Sequence, residues 1–149
     1  MNKKNYLAIF AKSFSWAGFF LPKKIYEDSA KLYAFCRVLD NIADEKTNLE
    51  SKIKRFDEMR NFLKKYYDTD NLEIYSSDEN EKIVYDVINL AKNNNIKKII
   101  LEDLMDGFAS DLKKRIQIRS VRDLLIYSYR VAGTVGLMMS KILTVNDRR

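Results

Sequence analysis

Leu32-Tyr33-Ala34-Phe35-Cys36-Arg37-Val38-Leu39-Asp40-Asn41-Ile42-Ala43-Asp44-Glu45 decides how this chain is read. Two carboxylates, Asp40 and Asp44, stand four residues apart, and Arg37 lies three residues before the first. A helix turns each side chain by about 100°. Tyr33, Arg37, Asp40 and Asp44 then fall within roughly 60° of one another on one face. The residues between them are mostly apolar, so a helix with a buried side is expected. Such a stripe can hold divalent cations on carboxylate oxygens and set a guanidinium beside a phosphate. Taken alone, the same residues also suit a surface salt-bridge face. Against that, like charges at i,i+4 mildly destabilise a plain helix.

Outward from this stretch, the composition bounds the answer. The chain has 149 residues, 46% hydrophobic and 32% charged, which suits one globular domain with a sizeable core. Only four glycines and one proline are present, so long helices are expected and a turn-rich β fold is not. There is no histidine and a single cysteine, Cys36. Histidine-based triads, histidine zinc sites and thiolate zinc sites are therefore excluded within this chain. Cys36 is expected to be a small buried hydrophobe in a reducing compartment. The net charge of +6 favours anionic partners, but the lysines are spread along the chain and no nucleic-acid motif is present. No nucleic-acid partner is expected. No signal peptide and no membrane span are expected either.

The apolar spacing predicts helices over residues 5–20, 23–45, 47–66, 79–93, 97–112 and 121–143. Pro22 ends the first and suits the entry to the second. The polar stretch 68–80 is the best loop, Asn93-Asn94-Asn95 is a helix stop, and 113–120 is a connector. Ser120 is expected to cap the last helix, with Asp123 in place of the usual glutamate. That helix holds Gly133 and Gly136 in its apolar middle. A glycine there costs about 1 kcal/mol relative to alanine, so close packing, a kink or room for a ligand should offset it.

Three segments resemble one family. Ser13-Phe14-Ser15-Trp16-Ala17-Gly18-Phe19-Phe20-Leu21-Pro22, the stretch from Tyr33 to Glu45, and Leu104-Met105-Asp106-Gly107 followed by Tyr127-Ser128-Tyr129-Arg130-Val131-Ala132-Gly133-Thr134-Val135-Gly136 resemble, in order, signatures of the squalene/phytoene synthase family. The match runs over nearly the whole chain. The resemblance implies an all-α helical bundle of the isoprenoid synthase type, present in part. It implies a prenyl synthase that joins two prenyl diphosphates head to head through a cyclopropyl intermediate, with Mg²⁺ or Mn²⁺. Asp40 and Asp44 would hold the metal on an inward-facing acidic ledge. Arg37, Ser13 and Lys12 would contact substrate diphosphate, and Tyr33 would point into the same site. Tyr129 would lie near the reacting carbons, and Gly133 and Val135 would shape the pocket for the prenyl tails.

Two departures stand out. The family's first acidic motif usually has adjacent aspartates, and here the second is Asn41. The family's second aspartate-rich motif is not found, so the chain is read as the N-terminal half of one domain and is expected to be inactive alone. The leading expectation is a phytoene synthase-like enzyme condensing two geranylgeranyl diphosphates. Squalene- or dehydrosqualene-type condensation of farnesyl diphosphate, and a non-catalytic helical half-domain, are the alternatives. Asp106 and Asp111 are read as a structural pair rather than as ligands. A half-bundle should also leave an apolar face around 131–142, hence a homodimer through that helix. A cytoplasmic location with peripheral membrane contact completes the expectation.

Overall fold

The computed structural model describes residues 20–69, 78–112 and 118–143. The expected helix over 5–20, and with it Lys12 and Ser13, lies outside the described residues. So do most of the expected loop 68–80 and connector 113–120. Every regular element among the described residues is helical. Helix α1 spans Lys23–Asp44, α2 Leu49–Tyr67, α3 Glu79–Asn93 and α4 Lys98–Asp111. Helix α5 spans Val121–Ser128, a π segment follows at Tyr129–Gly133, and α6 spans Thr134–Ile142. The all-α reading holds.

Local chemistry sets the ends of these helices. Pro22 precedes α1, and its carbonyl accepts from Tyr26 N at 3.0 Å. Asn48 Oδ1 accepts from Ser51 N at 2.8 Å and caps α2. Asp78 Oδ1 accepts from Asn80 N at 2.8 Å and Glu81 N at 3.2 Å and caps α3. At the other end of α3, Asn95 takes a φ of 53°, which asparagine tolerates better than most residues. Ile96 N then reaches Ala91 O at 2.8 Å and Asn95 N reaches Lys92 O at 3.4 Å. Those two bonds make a Schellman stop, and Ile96 is buried behind it. The run of asparagines therefore does end the helix. Ser120 Oγ accepts from Asp123 N at 3.1 Å, as expected. Asp123 Oδ2 reaches back to Arg119 N at 3.1 Å, one residue before the cap.

Helix α1 is central. It packs against α2, α3, α4 and α6. Leu32, Phe35, Leu39 and Ile42 line its buried side at helical spacing. They meet Phe56, Met59 and Leu63 of α2, Val87 and Ile88 of α3, Leu101, Leu104 and Met105 of α4, and Met138 and Ile142 of α6 in one core cluster. Fully burying a side chain of this kind stabilises by about 1.5–3 kcal/mol. Between α2 and α3, the buried Tyr66 hydroxyl donates to Glu81 Oε1, and Lys65 Nζ stands 3.0 Å from the same oxygen.

Two expectations about the C-terminal helix are corrected. It is not one uninterrupted α-helix over 121–143, because a wide turn sits at Tyr129–Gly133 and Thr134 N bonds back five residues to Tyr129 O. Its exposed apolar side is not confined to 131–142 either: Leu137 is 44% exposed there, but Met138 and Ile142 are fully buried. The greater exposure lies earlier, with Val121 73% and Leu125 65% exposed, and α5 has no buried residue at all. The physical reason is packing. Thr134, Met138 and Ile142 lie four residues apart on the side of α6 that meets the core, while α5 runs beyond it.

Candidate functional site

Helix α1 separates its residues by face. The core takes Leu32, Phe35, Leu39 and Ile42, and Tyr33, Arg37, Asp40 and Asp44 point roughly the opposite way. Tyr33 and Asp40 are half-buried, and Arg37, Asn41 and Asp44 are exposed. Among the described residues the acidic ledge thus exists as one face of α1, on the side away from the local core. The apolar spacing of α1 dictates this, because the local core claims the other side of the same helix.

The lower end of the ledge is held by α2. Lys52 Nζ donates to Ala43 O at 2.6 Å, a cation on the carbonyl end of α1. Arg55 pairs with Glu45 one residue beyond Asp44. Cys36, four residues before Asp40, is partly buried, and burial pushes its thiol up to about 12, with the charge of Asp40 adding to the shift. The thiol is therefore protonated and inert at neutral pH.

Gly133 and Val135 stand on the neighbouring helix, at the end of the π segment and the start of α6. Since α1 packs on α6, the structure brings these two elements side by side. Val135 packs on the core cluster. A Cβ on Gly133 would meet Cδ2 of Tyr129 at 3.0 Å, so this glycine lets the wide turn close over the tyrosine ring. A Cβ on Gly136 would meet nothing within 4 Å. Close packing accounts for Gly133 and not for Gly136.

Tyr129 is 41% exposed and sits beside Asp103 of α4. Its hydroxyl is raised above the usual tyrosine value by burial first, then by the charge and hydrogen bond of Asp103. The neighbouring Tyr127 donates to Asp111 Oδ1 at 2.9 Å. Its hydroxyl is raised too, by burial and then by that bond. Arg130 Nη2 lies 3.3 Å from Asp106 Oδ2, and Arg60 Nη2 of α2 lies 2.6 Å from Asp106 Oδ1. Asp106 and Asp111 are thus engaged in side-chain pairs, in keeping with a structural reading of both. The chain spacing alone did not single out Asp103, Tyr127, Arg60 or Arg130. The one available signal was the placement of Asp103, Asp106 and Asp111 on one face of α4.

A groove of about 220 Å³ runs between α2 and α4, lined by Arg60, Lys64, Glu102, Asp103 and Asp106 among others. Ligand pockets usually run from about 300 to 1,000 Å³, so this groove is too small for a long prenyl chain. Among the described residues no group of three or more carboxylate, cysteine or histidine side chains is gathered to hold a metal ion. Asp40 and Asp44 offer two carboxylates, hard oxygen donors of the kind Mg²⁺ takes together with waters and substrate phosphate. The pair fits that ion. No helix among the described residues is long and apolar enough to cross a membrane.

The squalene/phytoene synthase family model matches residues 8–149. The chain belongs to the squalene/phytoene synthase family. It is 30% identical over 144 residues to the 15-cis-phytoene synthase of a Paracoccus species, covering 92% of this chain and 44% of the relative. The 15-cis-phytoene synthase of Pantoea ananas is 28% identical over 149 residues, covering 95% and 46%. The bifunctional lycopene cyclase/phytoene synthase of Pyrenophora tritici-repentis is 31% identical over 140 residues, covering 89% and 24%. This squalene/phytoene synthase chain therefore spans under half the length of these relatives. No solved structure gives a significant match.

Proposed function

We propose that this chain supplies one wall of a prenyltransferase site that joins two geranylgeranyl diphosphates head to head and releases diphosphate. The observation that carries this reading is the single face of α1 bearing Tyr33, Arg37, Asp40 and Asp44, on a helix that also packs on α6. The relatives' names point to the phytoene product.

Each group on that face has a task in the reading. Arg37 is exposed and its fork of N–H donors matches a phosphate edge. Asp40 and Asp44 would hold Mg²⁺ or Mn²⁺, which when bound supplies neutralisation of the charge on a departing diphosphate. No proton-transfer residue is needed for that departure, so a chain without histidine is suited to it. Tyr33 and Tyr129 offer ring faces to positive charge on the prenyl carbons. Lys12 and Ser13 would add diphosphate contacts. Gly133 and Val135 would leave room for the tails. On this reading the ledge needs a second wall to enclose the diphosphates. The product is greasy, so work at a membrane surface from the cytoplasm follows. Self-association through the exposed apolar side of α5 is part of the same reading, with Val121 and Leu125 at the contact.

The test is reconstitution. The chain is mixed with a polypeptide supplying the remaining half of a relative, with Mg²⁺ and labelled geranylgeranyl or farnesyl diphosphate in separate arms. Diphosphate release and a C40 product with the first substrate are expected. A C30 product from farnesyl diphosphate would move the reading to the squalene type. No product in either arm, with the two halves shown to associate, would overturn it in favour of a non-catalytic helical module.

A further inference from the structure

Three carboxylates of α4 each meet a side chain from the segment 127–130. Asp103 meets Tyr129, Asp106 meets Arg130 and Asp111 meets Tyr127. Asp106 differs from the other two, because its oxygens are divided between two other elements. Oδ1 accepts from Arg60 Nη2 of α2 at 2.6 Å, and Oδ2 lies 3.3 Å from Arg130 Nη2 in the π segment. All three side chains are about one-third exposed. An isolated pair at that exposure is weak. Here one carboxylate is shared by two guanidinium groups, and the adjacent Gly107 packs directly on the Arg130 backbone.

We propose that Asp106 is a positioning residue that, held by Arg60, pins Arg130 and so fixes the Tyr129–Gly133 wide turn against α4. A π turn is an unfavourable single-turn insertion in an α-helix and needs something to retain it. Sliding back to α-helical register would rotate the chain before it by about 100°. Tyr127 and Tyr129 would then leave Asp111 and Asp103, and the ring of Tyr129 would leave Gly133. The pin opposes that slide. It bears on catalysis only through the prenyltransferase reading, which makes Tyr129 and Gly133 part of a site. The contact itself does not depend on that reading.

Amide hydrogen exchange on the 149-residue chain tests it, comparing peptides over 127–136 with peptides over 56–66 and 84–91. Asp106→Asn and Arg130→Gln are each expected to speed exchange over 127–136 at least tenfold and to leave 84–91 unchanged, with 56–66 moving less than 127–136 in Asp106→Asn because it carries Arg60. The double variant should be no faster than either single variant, since both remove the same contact. Asp106→Glu, which keeps the charge, should recover most of the protection. Unchanged exchange over 127–136 would overturn the proposal. So would an equal rise over 84–91, which would mark a general loss of fold, or additive effects in the double variant. A chain that exchanges as expected yet never forms product with its complement fails the prenyltransferase reading and not the pin.

Discussion

Gly107 and Arg130 touch through their backbones. A Cβ built on Gly107 would stand 3.0 Å from the Arg130 carbonyl carbon, 3.1 Å from its Cβ and 3.1 Å from its oxygen. Two of those three atoms are main chain in the middle of a helix, so they cannot swing aside. Gly107 is fully helical, with no positive φ, and its glycine identity answers to this approach rather than to backbone conformation.

Replacing Gly107 tests that contact. Gly107→Ala gains helix propensity worth about 1 kcal/mol in an open helix. Overpacking against a rigid neighbour costs about 1–3 kcal/mol and outweighs it. Urea unfolding should therefore give a lower midpoint for Gly107→Ala. Gly136→Ala serves as the control, since its added methyl meets nothing and the propensity gain should appear as a small stabilisation. A stabilised Gly107→Ala would mean that α4 and the wide turn are not in contact in solution.

Ser29 offers the opposite sign. It is 1% exposed, and among the described residues its Oγ is a buried oxygen without a hydrogen-bond partner. A buried hydroxyl left unbonded costs about 1–3 kcal/mol. Ser29→Ala removes it and leaves almost the same volume, so stability should rise by about 1 kcal/mol. The neighbouring Asp28 is buried too, but it accepts from Asn94 Nδ2 at 3.1 Å. Asp28→Ala should destabilise, because it removes one of the two acceptors of that amide and leaves only Leu90 O at 2.9 Å. Thermal melts of the two variants should move in opposite directions.

These contacts mark the boundary of what the chain order reveals. The stop at Asn95, the cap at Ser120 and the periodic faces of α1 and α2 are local, set within a few residues, and all were readable from spacing. The wide turn at Tyr129–Gly133 was not, because a 3.6-residue period averages over one inserted residue. The two glycines signalled that something must offset their cost, without saying which. The pairing of Arg60 with Asp106 spans 46 residues and depends on how α2 and α4 meet, which spacing along one helix does not contain. The direction of the acidic ledge was legible in principle. Leu32, Phe35, Leu39 and Ile42 define a core side that leaves Asp40 and Asp44 on the other.

Cys36 predicts an alkaline limit. The thiol has an ordinary value of 9.0 and is pushed up to about 12 in the folded chain. Above pH 9 the unfolded chain loses this proton while the folded chain keeps it. Stability from this group is complete below pH 9 and is lost as pH rises toward about 12. The slope approaches roughly 1.4 kcal/mol per pH unit for one group. Urea unfolding under reducing conditions at pH 8, 9 and 10 should show the native chain weakening faster than Cys36→Ala. Parallel pH curves for the two would mean that solvent reaches the thiol.

Asn41 provides the sharpest handle on the ledge. It is exposed, directly follows Asp40 and lies three residues before Asp44 on the same helix. Asn41→Asp would place a third carboxylate beside the pair. If Asp40 and Asp44 bind a divalent cation with a diphosphate, an added negative oxygen should tighten that binding several-fold. The helix opposes the change, because a new anion near the C-terminus of α1 meets its negative end at a cost of about 0.3–1 kcal/mol. Lys52 and Arg55 stand at that end and offset part of the cost. Mn²⁺ relaxation titrations with inorganic diphosphate should therefore give a lower dissociation constant for Asn41→Asp, with a slightly lower melting temperature when metal is absent. Asp44→Asn should weaken binding and leave the fold intact, since the side chain is exposed and buries no apolar contact. Equal affinity in all three chains would show that the ion, where it binds, does not sit on this face.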